Sequence, residues 1–415
     1  MVVTTQPTVK EEAQVQIEIN TNLKIELNTS SLSEILPKFS QILLEILSQF
    51  IVAVLLSFAD HHLVKGDLFD CKKCGAKDRL HWKTRNGKLT GLHTPFGKIY
   101  IPQLQLQCGC GHRFVITRQL LCIEQRCRIP SITVRMLGFI GSLTSFRVAE
   151  KITRLFGVQL NRMTVWRCVQ RLGKTISFDL DPDECNVGEA DGTGIPIQGI
   201  AKRGRELKVF VQLKKSGGCR IAGLSIGKYD SQWDKLFKPL KKSLALFSNF
   251  QLITDGDTSI LKGLGKQLTI IYQRCLWHIP HQFKFTLWKD KVVRKSQKWA
   301  DTLAMLIDIV NVKSILAEDR NEIIAPLIAA KKQKLQELIA YCESEGWKSS
   351  TNYLRNAQND IFTGVEKRLA GKTTSHVERV MRTVNLRVNV GKWSTDGALN
   401  ACKIRLAHYY NGWKV

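Results

Sequence analysis

The 415-residue chain is long enough for roughly three folded domains, since globular domains contain about 150 residues each. Hydrophobic residues make up 44% of it and charged residues 24%, a composition that excludes a largely disordered protein. Its 62 lysines and arginines against 36 acidic residues give a net charge of +26. We therefore expect a nucleic-acid partner rather than an anionic membrane surface, because cations that bind phosphates release condensed counterions.

The first 65 residues are predicted to form a weakly ordered arm followed by a helix over residues 31–59. Within that helix, residues 42–58 are strongly apolar and about as long as a bilayer is thick. The segment carries Glu45 and Gln49, however, and lacks a basic anchor before its first turn. We therefore expect a buried helix or an oligomerisation helix here, and no membrane partner.

Residues 66–130 are predicted to form a small zinc-ribbon-like module of short β-strands. No apolar leader opens the chain, so we expect its cysteines to be reduced and paired cysteines to be metal ligands. A C-x-x-C knuckle and a C-x-C pair supply four thiolates, the ligand set of a closed structural zinc site. These ligands are Cys71, Cys74, Cys108 and Cys110. Because C-x-C is tighter than the usual knuckle, the fourth ligand could instead be His112, Cys122 or Cys127.

Residues 131–180 are predicted to form a helix-turn-helix region that binds DNA. An apolar stripe runs through residues 146–156, Gly157 allows a turn, and Asn161 can cap a second helix. That second helix would place polar and basic side chains in the major groove. The expected DNA contacts are Thr164, Arg167, Gln170 and Arg171, with Val165 and Val169 facing inward. Any helical hairpin would give a similar pattern, so the pattern alone does not establish DNA binding.

Three acidic residues in the second half of the chain are suited to hold divalent metal ions. Asp191 and Asp255 each follow an apolar run and precede a glycine, and Glu378 lies near the start of a basic helix. Carboxylates at strand ends can converge, and three of them can hold two magnesium ions that clamp a phosphodiester. Taken singly, each Asp-Gly pair is more typical of a turn. Asp257 and Glu366 are neighbouring acids that compete for these assignments.

The order of these motifs resembles that of the Mutator-like transposases and their bacterial insertion-sequence relatives. Asp191-Gly-Thr and Asp255-Gly-Asp are followed by Arg274-Cys-Leu-Trp-His278 and then by Glu378. In that group, a ribonuclease-H-like domain carries two aspartates and a glutamate. A Cys-x-x-His motif follows the second aspartate, and a helical insertion precedes the glutamate. The resemblance covers residues 185–411.

The resemblance implies a multi-domain α/β protein with a ribonuclease-H-like mixed sheet and an α-helical insertion. The catalytic domain would comprise residues 185–283 and 361–415, and the insertion residues 284–360. Lysine-rich helices are predicted over residues 284–347. Strands are predicted at residues 187–200, 207–214, 220–226, 250–254 and 268–272.

The resemblance also implies roles for individual residues. Asp191, Asp255 and Glu378 would hold magnesium or manganese for hydrolysis of DNA at element ends and for strand transfer into a target. Cys275 and His278 would lie beside the active site. Apart from the resemblance, residues 366–415 are strongly basic, and we expect Arg379, Arg382 and Arg387 to bind DNA phosphates beside the metals. Cutting two element ends implies at least a homodimer on double-stranded DNA, in the cytoplasm of a bacterium or the nucleus of a eukaryote.

Two other functions remain open from the sequence. A non-catalytic DNA-binding regulator derived from a transposase would keep the zinc module and the helix-turn-helix but would not need the acids. A related nuclease or resolvase on the same fold would cut DNA without joining it. The presence of Asp191, Asp255 and Glu378 together favours an enzyme.

Overall fold

The computed structural model describes residues 32–121, 123, 127–200, 205–229, 231–265, 270–316, 318, 320–369 and 373–414. The predicted N-terminal arm and Cys122, one of the alternative zinc ligands, lie outside the described residues. Helices alternate with several β-sheets, so the fold is mixed α/β. The chain divides between Leu172 and Gly173 into two compact units, each with its own hydrophobic core.

The first unit opens with a 34-residue helix, α1 (Leu32–Lys65). By length and composition, its segment Gln41–Lys65 is apolar enough to cross a membrane. Only 17% of its most apolar stretch is buried, and Phe39, Leu43 and Phe50 are exposed. The predicted helix is confirmed. The buried-helix alternative holds for one side only, where Leu55 and Ala59 are buried in a hydrophobic core. The oligomerisation helix stays a prediction.

Five short strands and one helical turn follow α1. They are β1 (Leu80–Thr84), β2 (Leu89–Thr94), β3 (Gly97–Pro102), β4 (Gln105–Cys108), β5 (Arg113–Val115) and α2 (Thr117–Leu120). β1, β4 and β5 form one antiparallel sheet, and β2 and β3 form a separate antiparallel pair. Leu104, Leu106 and Ile116 are fully buried in a core shared with α1. The sequence predicts this small β module.

Three helices close the first unit: α3 (Ser131–Leu143), α4 (Phe146–Leu155) and α5 (Arg162–Thr175), the last of which continues into the second unit. The Ser145 hydroxyl caps α4 by accepting a 3.3 Å hydrogen bond from N of Val148. The chain then turns at Gly157, which has φ +76°. Asn161 accepts a 3.0 Å hydrogen bond from N of Thr164 and so caps α5 as predicted.

The second unit contains a mixed five-stranded sheet in the order β10-β9-β6-β7-β8. Its strands are β6 (Val187–Ile195), β7 (Arg205–Leu213), β8 (Cys219–Gly227), β9 (Phe250–Thr254) and β10 (Ile270–Arg274), with the short helices α6 (Asp234–Phe237), α7 (Lys241–Leu244) and α8 (Thr258–Leu264). β6, β7 and β8 form an antiparallel meander, whereas β9 runs parallel to β6 and β10 parallel to β9. Each of these strands overlaps a predicted one.

Eight helices complete the described part of the second unit. They are α9 (His278–Lys289), α10 (Gln297–Val310), α11 (Lys313–Leu316), α12 (Asn321–Ser344), α13 (Lys348–Ala357), α14 (Thr363–Glu366), α15 (Ser375–Val388) and α16 (Thr395–Tyr410). Helices α9 to α13 share a core that includes the fully buried Phe283, Leu306 and Leu338. The predicted helical stretch is confirmed and is longer than expected, since α9 begins at His278.

The two faces of the sheet carry different partners. Ala190, Phe210 and Phe250 lie on one face, where they pack with residues of α6 and α8. Side chains alternate along a strand, so Glu189 and Asp191 lie on the opposite face, the one that α15 contacts. This face and the carboxyl end of β9 position the candidate site.

Candidate active site and metal-binding cluster

Two aspartates lie side by side on adjacent strands of the sheet. β6 and β9 run parallel, and Ala190 pairs with Thr254, so Asp191 and Asp255 come next along their strands. Neighbouring strands lie about 4.8 Å apart, which brings the two carboxylates within reach of one another. Asp191 lies inside β6, and Asp255 is the first residue after β9.

The glycine that follows each aspartate leaves room for a different neighbour. A Cβ on Gly192 would lie 2.2 Å from Oε1 of Glu206, so a larger residue there would displace that side chain. Gly256 has φ +103°, and a Cβ there would lie 2.2 Å from Nη1 of Arg274. The turn interpretation of Asp-Gly therefore holds for the second pair. It is wrong for the first, whose strand continues beyond the glycine.

Glu378 lies in the first turn of α15 and contacts the histidine of the Cys-x-x-His motif. Its Oε1 is 3.1 Å from Nε2 of His278. Helix α15 therefore lies near the end of β10, because His278 begins α9 shortly after that strand.

Glu189, which the sequence analysis missed as a site residue, holds the start of α15 against the sheet. Its Oε2 accepts hydrogen bonds from N of His376 at 2.9 Å and from N of Val377 at 2.8 Å. These are N–H groups that a helix start leaves without intrahelical partners. Glu189 and Asp191 share a strand face, so β6 positions both an aspartate and the helix of Glu378. The Glu-x-Asp alternation within a strand is the sequence signal that could have revealed this.

The Cys-x-x-His motif links the turn after β10 to the start of α15. Cys275 is fully buried, and its Sγ accepts hydrogen bonds from N and Oγ1 of Thr374, each at 3.3 Å. The same Oγ1 lies 3.2 Å from Nδ1 of His278. One nitrogen of the imidazole therefore faces Thr374 and the other faces Glu378. Two ligands are too few for a zinc site. Through Thr374 and His278, the motif connects the end of β10 to the helix of Glu378.

The charges of the site interact strongly. Burial, together with the charges of Asp255 and Glu378, raises the pKa of Asp191 to about 7. Burial opposes the protonation of His278, but the Cys275 sulfur and the aspartates raise the pKa of that imidazole to about 9. At neutral pH, the imidazolium therefore offsets only part of the negative charge.

The donor set of the site suits a hard divalent cation. Magnesium and manganese prefer carboxylate oxygens, and all three acids supply them. N of Asp257 donates to Oδ1 of Asp255 at 2.9 Å, and Nε2 of Gln282 donates to Oδ2 at 3.3 Å. N of Gly192 donates to Oδ1 of Asp191 at 2.7 Å. These bonds orient both aspartates. The donor type is the one that a divalent ion prefers, but the oxygens of the three acids do not all lie within 4.8 Å of one another.

The two competing acids are engaged elsewhere. Asp257 caps α8, because its carboxylate accepts hydrogen bonds from N of Ser259 at 2.8 Å and from its Oγ at 2.6 Å. Glu366 forms an ion pair with Lys332 of α12. The contacts of both acids are thus with a helix start and a lysine, and no contact joins either of them to His278 in the part of the chain that the structure describes.

The four predicted zinc ligands form a tight cluster in the first unit. The Sγ atoms of Cys71, Cys74, Cys108 and Cys110 all lie within 4.8 Å of one another. Within the described ranges, no other group of three or more potential ligands is gathered this closely. Tetrahedral zinc with Zn–S bonds of about 2.3 Å separates its sulfurs by about 3.8 Å. The separations of 3.6 Å for Cys71–Cys110 and 3.5 Å for Cys74–Cys108 fit that geometry. The cluster can bind a structural metal such as zinc.

Two of the alternative ligands lie elsewhere. The ring of His112 stacks on Phe114 with a centroid distance of 5.9 Å. Sγ of Cys127 lies 3.6 Å from the carbonyl oxygen of Ile129 and accepts a 3.7 Å contact from Nη1 of Arg171. Neither is needed to complete the set of four sulfurs.

The second helix of the helix-turn-helix region forms one wall of a basic pocket. Val165 and Val169 are fully buried, as predicted. The pocket has a volume of about 490 Å³ and is lined by Arg128 and by three of the predicted DNA contacts, Thr164, Arg167 and Arg171. The fourth, Gln170, is half-buried. No acidic side chain is among the described residues that line this pocket.

Two of the three arginines predicted to bind phosphates on α15 are available to do so. Arg379 and Arg382 are exposed. The prediction for Arg387 is wrong, because its side chain is 2% exposed and its guanidinium lies 4.2 Å from the ring centroid of Trp393. Burial lowers the pKa of Arg387 to about 10. This arginine packs within the unit and does not face DNA.

No protein-family model matches the chain. A search of curated proteins likewise found no match. The function must therefore be inferred from the chemistry of these residues.

Proposed function

We propose that the chain is a DDE transposase, related to the Mutator-like and bacterial insertion-sequence group, that cuts DNA at element ends and joins it to a target. The observation that carries this proposal is the convergence of three carboxylates from distant parts of the sequence. Asp191 and Asp255 lie on adjacent parallel strands, and Glu378 reaches the same region through its contact with His278. The spacing between these acids does not arise from one local motif.

The sheet supports a ribonuclease-H-like catalytic domain. An antiparallel meander of β6, β7 and β8 is extended by two parallel strands on the side of β6, which gives a mixed sheet of the predicted kind. The helices α9 to α13 lie in the sequence between the second aspartate and the glutamate, where the resemblance requires an insertion.

The three acids would hold magnesium or manganese, which when bound supplies charge stabilisation at the attacking and leaving oxygens of a phosphodiester. Asp191 and Asp255 present oxygens fixed by backbone and side-chain donors. Glu378 contributes the third carboxylate from a helix. The proposal includes no covalent enzyme–DNA intermediate, because no nucleophilic side chain is needed when water or a DNA 3′-hydroxyl attacks.

The residues around the triad position Glu378. Glu189 holds the N-terminus of α15, and His278 holds the glutamate side chain, with Cys275 and Thr374 behind it. Positioning matters because a misplacement of about 1 Å can reduce a catalytic rate by about 100-fold.

The first unit supplies the features of a DNA-binding region. Its cysteine cluster would hold structural zinc, and Arg128, Arg167 and Arg171 give the pocket beside α5 a strong positive charge. Arg379 and Arg382 follow Glu378 on α15 and add two exposed positive charges. Together with a net charge of +26, these groups suit double-stranded DNA. Work on two element ends requires a homodimer or a higher assembly.

The decisive experiment is a joining assay with the purified full chain. The substrate is a linear duplex that carries the genomic DNA flanking the gene, and the target is a supercoiled plasmid in magnesium buffer. A transposase is expected to produce recombinant plasmids in which the fragment ends are joined to target DNA through their 3′-hydroxyls. Sequencing of the junctions identifies the ends and any target duplication.

Other products would contradict the proposal in distinct ways. Cutting without joined products would identify a nuclease or resolvase. Binding to the flanking DNA without cutting, at any tested magnesium or manganese concentration, would identify a regulator.

A further inference from the structure

Helix α9 carries large aromatic side chains on its surface. Trp277, which precedes the helix, is 60% exposed, Phe285 is 58% exposed and Trp288 is 70% exposed. The rings of Trp277 and His281 are stacked with centroids 5.4 Å apart and an interplanar angle of 12°. His281 in turn meets Phe285 edge-on at 5.7 Å. Exposure of several aromatic rings in one patch points to a binding surface.

The spacing of these side chains places them on one helix face. Residues of an α-helix are rotated by about 100° per position, so positions 277, 281, 285 and 288 fall within a sector of about 80°. The opposite side of α9, with Ile279, Phe283 and Leu287, is buried in the helical core. The fold of α9 is therefore secured without the exposed rings, which we call the α9 aromatic face.

The α9 aromatic face borders the candidate active site. On the same helical scale, His278 and Gln282 lie directly beside it. His278 contacts Glu378, and Gln282 donates to Asp255. A strand whose phosphate lay at the carboxylates would have its neighbouring bases beside these rings.

The charge of α9 matches a nucleic acid. Lys284 and Lys289 are exposed on the helix, and the sequence from His278 to Lys289 contains no acidic residue. Aromatic rings interleaved with cations are the usual means of binding single strands, since every base has a face to stack and every nucleotide a phosphate to neutralise.

We propose that the α9 aromatic face stacks unpaired bases of the DNA strand next to the phosphate that is cut. This inference rests on the proposed function, because it assigns the ligand of the surface beside the same carboxylates. It adds that the bound end is locally melted, and that Trp277, Phe285 and Trp288 hold the displaced bases.

The test measures binding of the full chain to three probes without added divalent ions. The probes are a closed duplex, the same duplex with a forked end of unpaired thymidines, and a single strand that carries 2-aminopurine. Stacking tolerates any sequence, so the probes do not need element ends. The variants are Phe285→Ala and Trp288→Ala, whose rings make no contact with His278, and Trp288→Phe as the variant that keeps a ring. Tyr409→Ala removes an aromatic residue of similar exposure on α16 as the matched control.

We expect Phe285→Ala and Trp288→Ala each to weaken single-strand and forked-duplex binding by about tenfold, because a base–aromatic stack contributes about 1–3 kcal/mol. Closed-duplex affinity should change less than twofold, and Trp288→Phe should retain most of the single-strand affinity. Quenching of 2-aminopurine by the wild type should be lost in the two alanine variants.

Equal losses on all three probes, or unchanged single-strand binding, would overturn the proposal. So would a change in sedimentation mass without a change in strand affinity, which would make the face an interface between copies. The joining assay with Asp191→Asn tests the proposed function separately. If Asp191→Asn abolishes joining and Trp288→Ala still binds single strands as the wild type does, only the α9 proposal fails.

Discussion

The two candidate metal sites of this chain are built in opposite ways. The four cysteines lie within 40 residues of sequence, and their sulfurs are gathered within 4.8 Å. The three carboxylates are drawn from two strands and a helix up to 187 positions apart, from Asp191 to Glu378, and are held next to a histidine. Thiols can pack as neutral groups, whereas carboxylates repel one another and need fixed supports. The cysteine cluster is thus formed by one local segment, whereas the proposed catalytic site is assembled from distant parts of the chain.

Removal of one cysteine ligand should give the largest effect. Binding of structural zinc contributes about 10 kcal/mol or more to the folding of small zinc domains. Cys71→Ser is therefore expected to lose the bound metal and to unfold the β module of the first unit. Metal content by mass spectrometry should fall from one zinc per chain to a small fraction, and thermal unfolding should show an early transition.

The matched control is Cys127→Ser, which alters a thiol of the same unit outside the cluster. It should retain one zinc per chain. If Cys127→Ser loses zinc while Cys110→Ser retains it, the assignment of the fourth ligand is wrong.

The contribution of Asp191 to folding stability should fall as pH rises, whereas that of an acid in a salt bridge rises with pH. The pKa of Asp191 is about 7 in the folded chain against 3.8 for the free side chain. The folded state therefore keeps a proton that the unfolded state has lost, and the contribution of Asp191 to the stability of the magnesium-free chain falls as pH rises from about 4 to about 7. Asp191→Asn removes this cost, so at pH 8 it should raise the free energy of unfolding by about 1–4 kcal/mol.

Denaturant unfolding at pH 4.5 and pH 8 measures this prediction. The stabilising effect of Asp191→Asn should shrink towards zero at pH 4.5, and added magnesium should reduce it at pH 8. Asp257→Ala, which removes the cap of α8, should instead destabilise the chain by about 1 kcal/mol. An Asp191→Asn effect that is the same at both pH values would contradict the raised pKa that burial and the neighbouring carboxylates give Asp191.

Glu189 offers a smaller test of how the assembled site is supported. Glu189→Ala leaves the N–H groups of His376 and Val377 without their acceptor, which should lower the free energy of unfolding by about 1–3 kcal/mol. Because α15 carries Glu378, manganese affinity should fall as well. Glu189→Gln keeps an acceptor oxygen and should recover most of both losses. Manganese titration by electron paramagnetic resonance provides the second readout, and equal behaviour of the two variants would rule out the positioning role.

The exposed arginines of α15 should give the smallest effect. Arg379→Ala and Arg382→Ala each remove one phosphate contact, so each should reduce the slope of log affinity against log salt by about 1 for duplex DNA. Lys262→Ala, which removes an exposed charge on α8, is the control and should leave the slope unchanged. Filter binding between 50 and 200 mM salt measures the slopes. Over this range, the DNA affinity of a protein with several phosphate contacts falls by about 10³-fold or more.

The same contrast explains what the sequence could predict. The cysteine cluster follows from local spacing, and β9 has the predicted bounds, Phe250–Thr254, because a short apolar run ends at an acid and a glycine. The sequence does not reveal Glu189 as a helix anchor, because its partners, His376 and Val377, lie 187 and 188 residues away. Such contacts depend on which strand face α15 covers.

Arg387 shows why a charge pattern can mislead. It shares a basic helix with Arg379 and Arg382, and helical spacing alone does not show which side is buried. Trp393, beyond the end of that helix, folds back over the guanidinium and buries it. The exposure of the aromatic residues of α9 could not be predicted for the same reason. The sequence does not show which side of that helix is buried.

A metal-dependent nicking assay on the flanking DNA tests the central claim most directly. The wild type, the variants Asp191→Asn, Asp255→Asn and Glu378→Gln, and the matched controls Asp257→Asn and Glu366→Gln are compared in magnesium and in manganese. We predict that each of the three triad variants loses at least about 100-fold in rate in magnesium, as expected when a group that orients the transition state is removed. Both controls should cut within a few-fold of the wild type. Cutting at wild-type rates by Asp191→Asn or Asp255→Asn would contradict the assignment of these carboxylates as the active site.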